Sequence, residues 1–512
     1  MLPISSVTLA LALSYTAAAP SGLPIQEPVG QGEAAPLTGV AKLQASVTEH
    51  TLDNGWTFLI VPREGAPVAS FHTYIDVGGV FEDDGATGMA HMFEHMAFKG
   101  SARLGSLDWE EEELALDKLE KAYLRLRRMR KTGREGAIAK AKQTFLVAQK
   151  KAASLVDAEA FSKILEEAGG SSSLNASTSA EETRYVVSLP SNQIELWCWM
   201  ERERFHEPVL REFYKERDAV MEERRMRVES SPFGKLIEEL LAKAFTTHPY
   251  RRPVIGYEAD LNNFSRTDAQ AFYAKHYGVR RFTTAIVGDV DPTTLVPLLE
   301  RYFSDLAAGP EPTEVDVTEP KQDAERRVDV TFPAMPIVMA AWHVPSRSHP
   351  DSVALNLGLS ILGQASASRL ETSLVRGSGQ AADAGADGGL PGDRYPNLAF
   401  VYGIPTEDTP IKELEAGIYQ VMDTFTREGP TPAELAGAKN RARASLLRGL
   451  QDNEALAADL CEWQSKSGDW RNLFGQPSAL AEVTANDIQR VFAMYFTQQA
   501  RTVATLVPAK PE

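Results

Sequence analysis

Two histidines, His91 and His95, bracket a glutamate at position 94 in the run HMFEH. On an α-helix, residues four apart project from one face a turn from each other, so both imidazoles can be turned towards a single ion. Glu94 lies three residues after His91 and one before His95. Its carboxylate would stand beside that ion, where it could take a proton from a water whose pKa the metal lowers. The order H-x-x-E-H is the inverse of the commoner zinc-protease helix. Taken alone, the pentapeptide fits equally well two structural histidines that share a helix face. A catalytic zinc takes three protein ligands and keeps a fourth position for water or substrate, so a third donor must come from elsewhere. Glu216 and Glu223, in the run ERDAVMEE, are seven residues apart and return to nearly the same face of a predicted helix. Glu222 points about 100° away from Glu223, so only one of these neighbours can reach the ion.

The elements that must position these residues follow from periodicity. GWTFLIVPR and VASFHTYIDVGGV read as paired strands with a turn at EGAPV, and the HMFEH helix comes next. Residues 105–168 shift to dense charge and helix formers, interrupted by KTGREG, and read as a helical hairpin with Leu116, Leu119, Tyr123, Leu126 and Met129 on its packed face. AEETRYVVSLP and TTAIVGDV read as strands, and NQIELWCWMERERF and FYKERDAVMEERRMRVE as amphipathic helices. Residues 305–327 are polar, contain proline and lack either period, as an interdomain linker would. A shift of 219 residues lays Asp268 on Asp487, Tyr273 on Phe492, Thr283 on Thr502 and Ala285 on Ala504, which points to two related halves. Only the first half carries H-x-x-E-H.

Bulk properties narrow the function classes. The 512 residues are 43% hydrophobic and 24% charged, as expected of globular units, and the net charge of −17 argues against a nucleic-acid or anionic-membrane binder. The start, MLPISSVTLALALSYTAAAP, has the apolar core and small residues of a signal peptide over 1–19, so the protein is expected to be exported, periplasmic or secreted, with a flexible segment over 20–40. Later sequence offers no uninterrupted apolar run long enough for a bilayer span. Cys198 and Cys461 are expected to be buried thiols, and His50, His72, His206, His276, His343 and His349 lack ligand spacing.

HxxEH followed by an E-R-x-x-V-x-x-E-like segment resembles the pitrilysin and insulinase family of metallopeptidases, and its short-chain, mitochondrial processing peptidase-like branch in length. GATGMAHMFEHMAFKGS, LNASTSAEETRYVVSLP and HPYRRPVIGY extend the likeness. The resemblance implies an α+β fold of two homologous halves, each a mainly antiparallel sheet packed with helices. These would be a catalytic domain over 41–304, holding the inserted hairpin, and a non-catalytic domain over 328–512. It further implies one zinc per chain on His91, His95 and Glu223, with Glu94 as general base and Glu216 as a supporting carboxylate. Peptide substrates would be held in extended form by Asn175, Ala176 and the strand through Thr183 to Val187. Family members also use an Arg and a Tyr seven residues apart. Here Arg376 is present, but Asp383 occupies the tyrosine position. The implied partner is a second copy or a second family subunit that supplies the Arg/Tyr pair. The implied activity is that of a zinc endopeptidase; the rival expectations are a non-catalytic or partner-dependent assembly subunit of the same fold, and a small-molecule metallohydrolase or isomerase.

Overall fold

Phe282–Gly288 is buried at every position, so it needs a strand on each side and cover on both faces. A computed structural model describes residues 35–170 and 173–508 of the chain; the expected signal peptide lies outside them. The first sheet comprises β1 (Thr48–Thr51), β2 (Thr57–Pro62), β3 (Val68–Ile75), β4 (Asn175–Thr178), β5 (Thr183–Pro190) and β6 (Phe282–Gly288), in the order β1-β2-β6-β3-β5-β4. β6 runs parallel to β2 and antiparallel to β3. The expected pairing of β2 with β3 is therefore wrong: the fully buried β6 takes the place between them, and the EGAPV turn bridges over it.

The second sheet comprises β7 (Arg326–Phe332), β8 (Ile337–Val344), β9 (Ala381–Leu390), β10 (Asn397–Pro405) and β11 (Arg501–Pro508), in the order β7-β11-β8-β10-β9. β11 is parallel to β7 and antiparallel to β8, so the second sheet repeats the first strand for strand except for β1. The 219-residue repeat extends to local detail. Ser265 and Asp268 form a capping box before the Arg266–His276 helix and β6, as Thr484 and Asp487 do before the Ala485–Tyr495 helix and β11.

Each half lends a helix to the other's sheet. Leu456, Ala457, Leu460 and Cys461 of the Asn453–Ser467 helix pack on Leu59, Val61, Tyr74, Ala285 and Val287 of the first sheet. Leu236, Ile237, Leu240 and Leu241 of the Pro232–Ala244 helix pack on Met339, Ala341, Phe400 and Leu506 of the second. Polar groups cross the same boundary: Lys466 reaches Glu181 at 3.1 Å, and Arg394 pairs with Asp76. Cys198 and Cys461 are buried free thiols.

The hairpin consists of helices Trp109–Arg130 and Glu135–Ala153. Its ends meet, since Leu107 N donates to Leu155 O at 2.9 Å and Asp157 N to Gly105 O at 3.0 Å, so the excursion leaves the core path intact. Ala35–Ser46 is a helix and overlaps the end of the segment expected to be flexible over 20–40; the rest of that segment lies outside the described residues. Residues 304–325 carry neither helix nor strand.

Candidate metal centre

Met89–Met96 forms the helix that carries HMFEH. Glycine makes its first turn possible. Gly88 has φ +94, and a Cβ there would stand 2.7 Å from Ile255 O and 2.9 Å from Gly256 Cα; Gly256, with φ +84, would meet Thr87 O in return. Buried Glu82 accepts from Gly88 N and Ala90 N, each at 2.8 Å, and so satisfies two free donors at the helix start. Phe93 anchors the opposite face among Phe272, Tyr273 and Tyr277.

The helix Phe213–Arg224 supplies the carboxylates. Its core face is fixed by Arg217, which donates to Tyr123 Oη at 2.8 Å, and by Arg224, which grips Glu238 at 2.8 and 3.1 Å and Gly256 O at 2.8 Å. Glu216 and Glu223 then face the histidines. His91 Nε2 lies 3.6 Å from Glu223 Oε1, and His95 Nε2 lies 3.4 Å from Glu223 Oε2. Donor atoms of His91, His95 and Glu223 all fall within 4.8 Å of one another, and among the described residues no other such trio of His, Cys, Asp and Glu occurs. Ligands at 2.0–2.1 Å on a tetrahedral ion are about 3.3 Å apart. Two imidazoles and a carboxylate therefore fit zinc in both type and spacing. Nδ1 of His91 is buried without a partner. Glu222 lies outside the cluster, on the surface, paired with Arg225 at 2.5 Å.

Charge organises the cluster. Burial pulls His91 down to about 3, so this imidazole stays neutral. Burial also works against a charged His95, but the carboxylates of Glu216 and Glu223 outweigh it and hold the ring up at about 9. Burial pushes Glu216 up, and His95 and Lys99 more than reverse this, to about 2. Glu216 Oε2 stands 3.6 Å from His95 Nδ1, and its Oε1 accepts from Lys99 Nζ at 2.6 Å, so it steadies the ring from outside the trio. Glu223 is lowered by His95, His91 and Arg227 against its burial, and Arg227 Nη1 reaches its Oε1 at 2.6 Å. Glu94 is buried and raised by that burial; Thr178 Oγ1 donates to its Oε2 at 2.7 Å and opposes the rise. Thr178, Lys99 and Arg227 were not singled out in the sequence. Thr178 carried no spacing signal, whereas Arg227 stands four residues after Glu223 and Lys99 four after His95, so both were open to notice.

Thr178 ends β4, and β4 is the outer strand of its sheet. β5 is paired on one side with β3 and on the other with β4, so Thr183 to Val186, nearly all of the expected stretch to Val187, has no free backbone edge; the free edge belongs to Asn175–Thr178. Asn175 is exposed, and its Oδ1 accepts from Ala176 N at 2.9 Å. Both residues line a cavity of about 360 Å³ with His72, Arg184, Asp452 and Glu454. Arg376 is exposed and paired with Glu371 at 3.0 Å, and Asp383 accepts from Tyr402 Oη at 3.2 Å. No helix among the described residues is long and apolar enough to cross a membrane.

Comparison with known proteins adds a family context. The model described as insulinase (peptidase family M16) matches residues 58–117 and 150–258, and that described as the peptidase M16 inactive domain matches 263–442. The chain is 26% identical to a protein named zinc protease PqqE from Helicobacter pylori over 466 residues, 90% of this chain and 92% of that protein. It is 24% identical to the mitochondrial-processing peptidase subunit beta of Lentinula edodes over 460 residues, 87% of this chain and 86% of the other. Among solved structures, a protease from Helicobacter pylori superposes with a TM-score of 0.75 at 24% identity, over 90% of this chain and 99% of that one. The periplasmic protease PqqL from Escherichia coli gives 0.67 at 15% identity, over 90% of this chain and 47% of that one. These likenesses establish the two-half fold.

Proposed function

The chain belongs to the insulinase family, peptidase family M16, and from that premise we propose that it is a zinc-dependent endopeptidase acting on peptides or unfolded protein segments. The observation that carries this reading is the convergence of His91, His95 and Glu223 donors beside the buried Glu94. Zinc in that position supplies Lewis acidity, polarising a carbonyl and lowering the pKa of a water. Glu94 takes the proton of the attacking water on Oε1, because Oε2 is held by Thr178, and passes it to the leaving amine. Glu216 orients His95, and Lys99 holds Glu216 in place. An extended substrate adds to the free edge of β4, with its backbone paired to Asn175–Thr178. A substrate there lies next to Thr178, and so next to Glu94.

The name of the periplasmic relative and the leader-like start support export to the periplasm or the medium. A second reading, a subunit that acts only with a partner, is favoured by one observation. Arg376 is turned to solvent, and Asp383 stands where a tyrosine is expected. Peptide cleavage by protein shown to be monomeric would dismiss it.

The ligand assignment is tested by zinc content and peptide cleavage in two neighbouring variants. Glu223→Gln is expected to lose zinc and activity together, whereas Glu222→Gln keeps both. The reverse pattern would overturn the assignment.

A further inference from the structure

The insulinase model passes over residues 118–149, which form the outer part of the hairpin, so this chain adds that part to the family fold. The addition is electrically unlike the rest. It holds ten Lys and Arg against two Glu in a chain whose net charge is −17. Lys118, Lys121, Arg125 and Arg128 recur at intervals of three and four, which places them on one face of the Trp109–Arg130 helix over about 15 Å. All four are exposed, as are Arg130, Lys131 and Arg134 at the tip, and among the described residues none of the seven has a carboxylate within 4.0 Å. Leu114, 60% exposed, heads the same stripe one turn below Lys118. The stripe is unneutralised but not remote. Tyr123 of the same helix packs against Tyr214 with ring centroids 4.2 Å apart, and Tyr214 Oη donates to Glu120 Oε2 at 2.6 Å, so the shaft lies against the helix that carries Glu216 and Glu223.

We propose that this stripe is a docking site for an acidic polypeptide segment, which recruits substrates bearing such a segment to the neighbouring metal centre. The proposal rests on the peptidase reading for the fate of the segment, and not for its binding. Four cations in line along a shaft match an extended acidic run of about five residues at 3.3 Å per residue. A bilayer would instead call for apolar residues at the tip, where KTGRE offers none; the exposed Leu114, Leu146 and Val147 lie along the shaft. Guanidinium groups suit carboxylates because they bind them in a two-pronged fashion. Attraction between such exposed groups raises encounter rates and fades as salt shortens the Debye length.

The test compares one cleavable peptide with and without a hexaglutamate tail, using the full chain and a variant with Lys118→Gln, Lys121→Gln, Arg125→Gln and Arg128→Gln together. For the parent at low salt the tail is expected to lower KM about tenfold, on the scale of electrostatic steering. The variant should cut the untailed peptide as the parent does and lose the advantage of the tail. Binding of a fluorescent hexaglutamate peptide to Glu94→Gln protein gives a second readout that needs no turnover. Equal binding by proteins with and without the four substitutions would overturn the proposal. So would capture of phosphatidylglycerol vesicles without the peptide, or a change in self-association with peptide binding untouched. Tail binding, lost with the four substitutions, in a protein that cuts nothing would sustain the docking site and refute the peptidase reading.

Discussion

At residue scale the site depends on keeping one carboxylate ionised inside a buried cluster. Glu94 is enclosed, and Thr178 holds one of its oxygens through a single hydrogen bond. Thr178→Val should therefore lower kcat about tenfold while zinc content stays at the parent level, since a positioning bond to a charged group is removed and no ligand is touched. Unchanged kcat would show that Glu94 needs no such hold. HMFEH was legible because its geometry is local: three residues on two turns of one helix. Thr178 lies 84 positions away and meets Glu94 only because β4 passes beside the helix, an arrangement that leaves no mark in spacing. Choosing Glu223 over Glu222 likewise required the orientation of a helix, set by Arg217 and Arg224, which the sequence left open.

At the scale of elements the start of the HMFEH helix is the vulnerable point. Gly88→Ala would place a Cβ at 2.7 Å from Ile255 O in a left-handed conformation, and about 2–4 kcal/mol of stability should be lost in urea unfolding. Glu82, at the same turn, is raised by burial to about 8, with the bonds from Ala90 N and Gly88 N opposing the rise. A folded pKa above the unfolded value near 4.5 means that its contribution is full below about pH 4.5 and is lost as pH rises towards 8. Parent Tm should accordingly fall across that window more steeply than the Tm of Glu82→Gln. Parallel curves would place the titration elsewhere. The strands were recognisable as strands, but their pairing was not. β2 and β3 look like a hairpin because they are adjacent in sequence, yet β6, from far along the chain, enters between them and is buried at every position.

At the scale of the molecule the two halves are not independent. The 219-residue repeat revealed the duplication, because a capped helix followed by a strand keeps its residue types when copied. It did not reveal that each copy covers the other's sheet. Residues 41–304 expressed alone would expose Leu59, Val61, Tyr74 and Val287, at about 1.5–3 kcal/mol for each large apolar side chain. That fragment should aggregate or remain partly unfolded by circular dichroism and gel filtration, and co-expression with residues 305–512 should rescue it. A soluble, cooperatively folding fragment would show that the exchanged helices are dispensable.

The most direct measurement is cleavage of a mixed pool of unstructured peptides by the full chain and by Glu94→Gln, with zinc determined in both. The expected result is cutting by the parent and a loss of at least about a hundredfold in the variant, which still holds one zinc per chain. Undiminished cleavage by Glu94→Gln, or a parent that binds no stoichiometric zinc, would contradict the assignment of His91, Glu94, His95 and Glu223 as a hydrolytic centre.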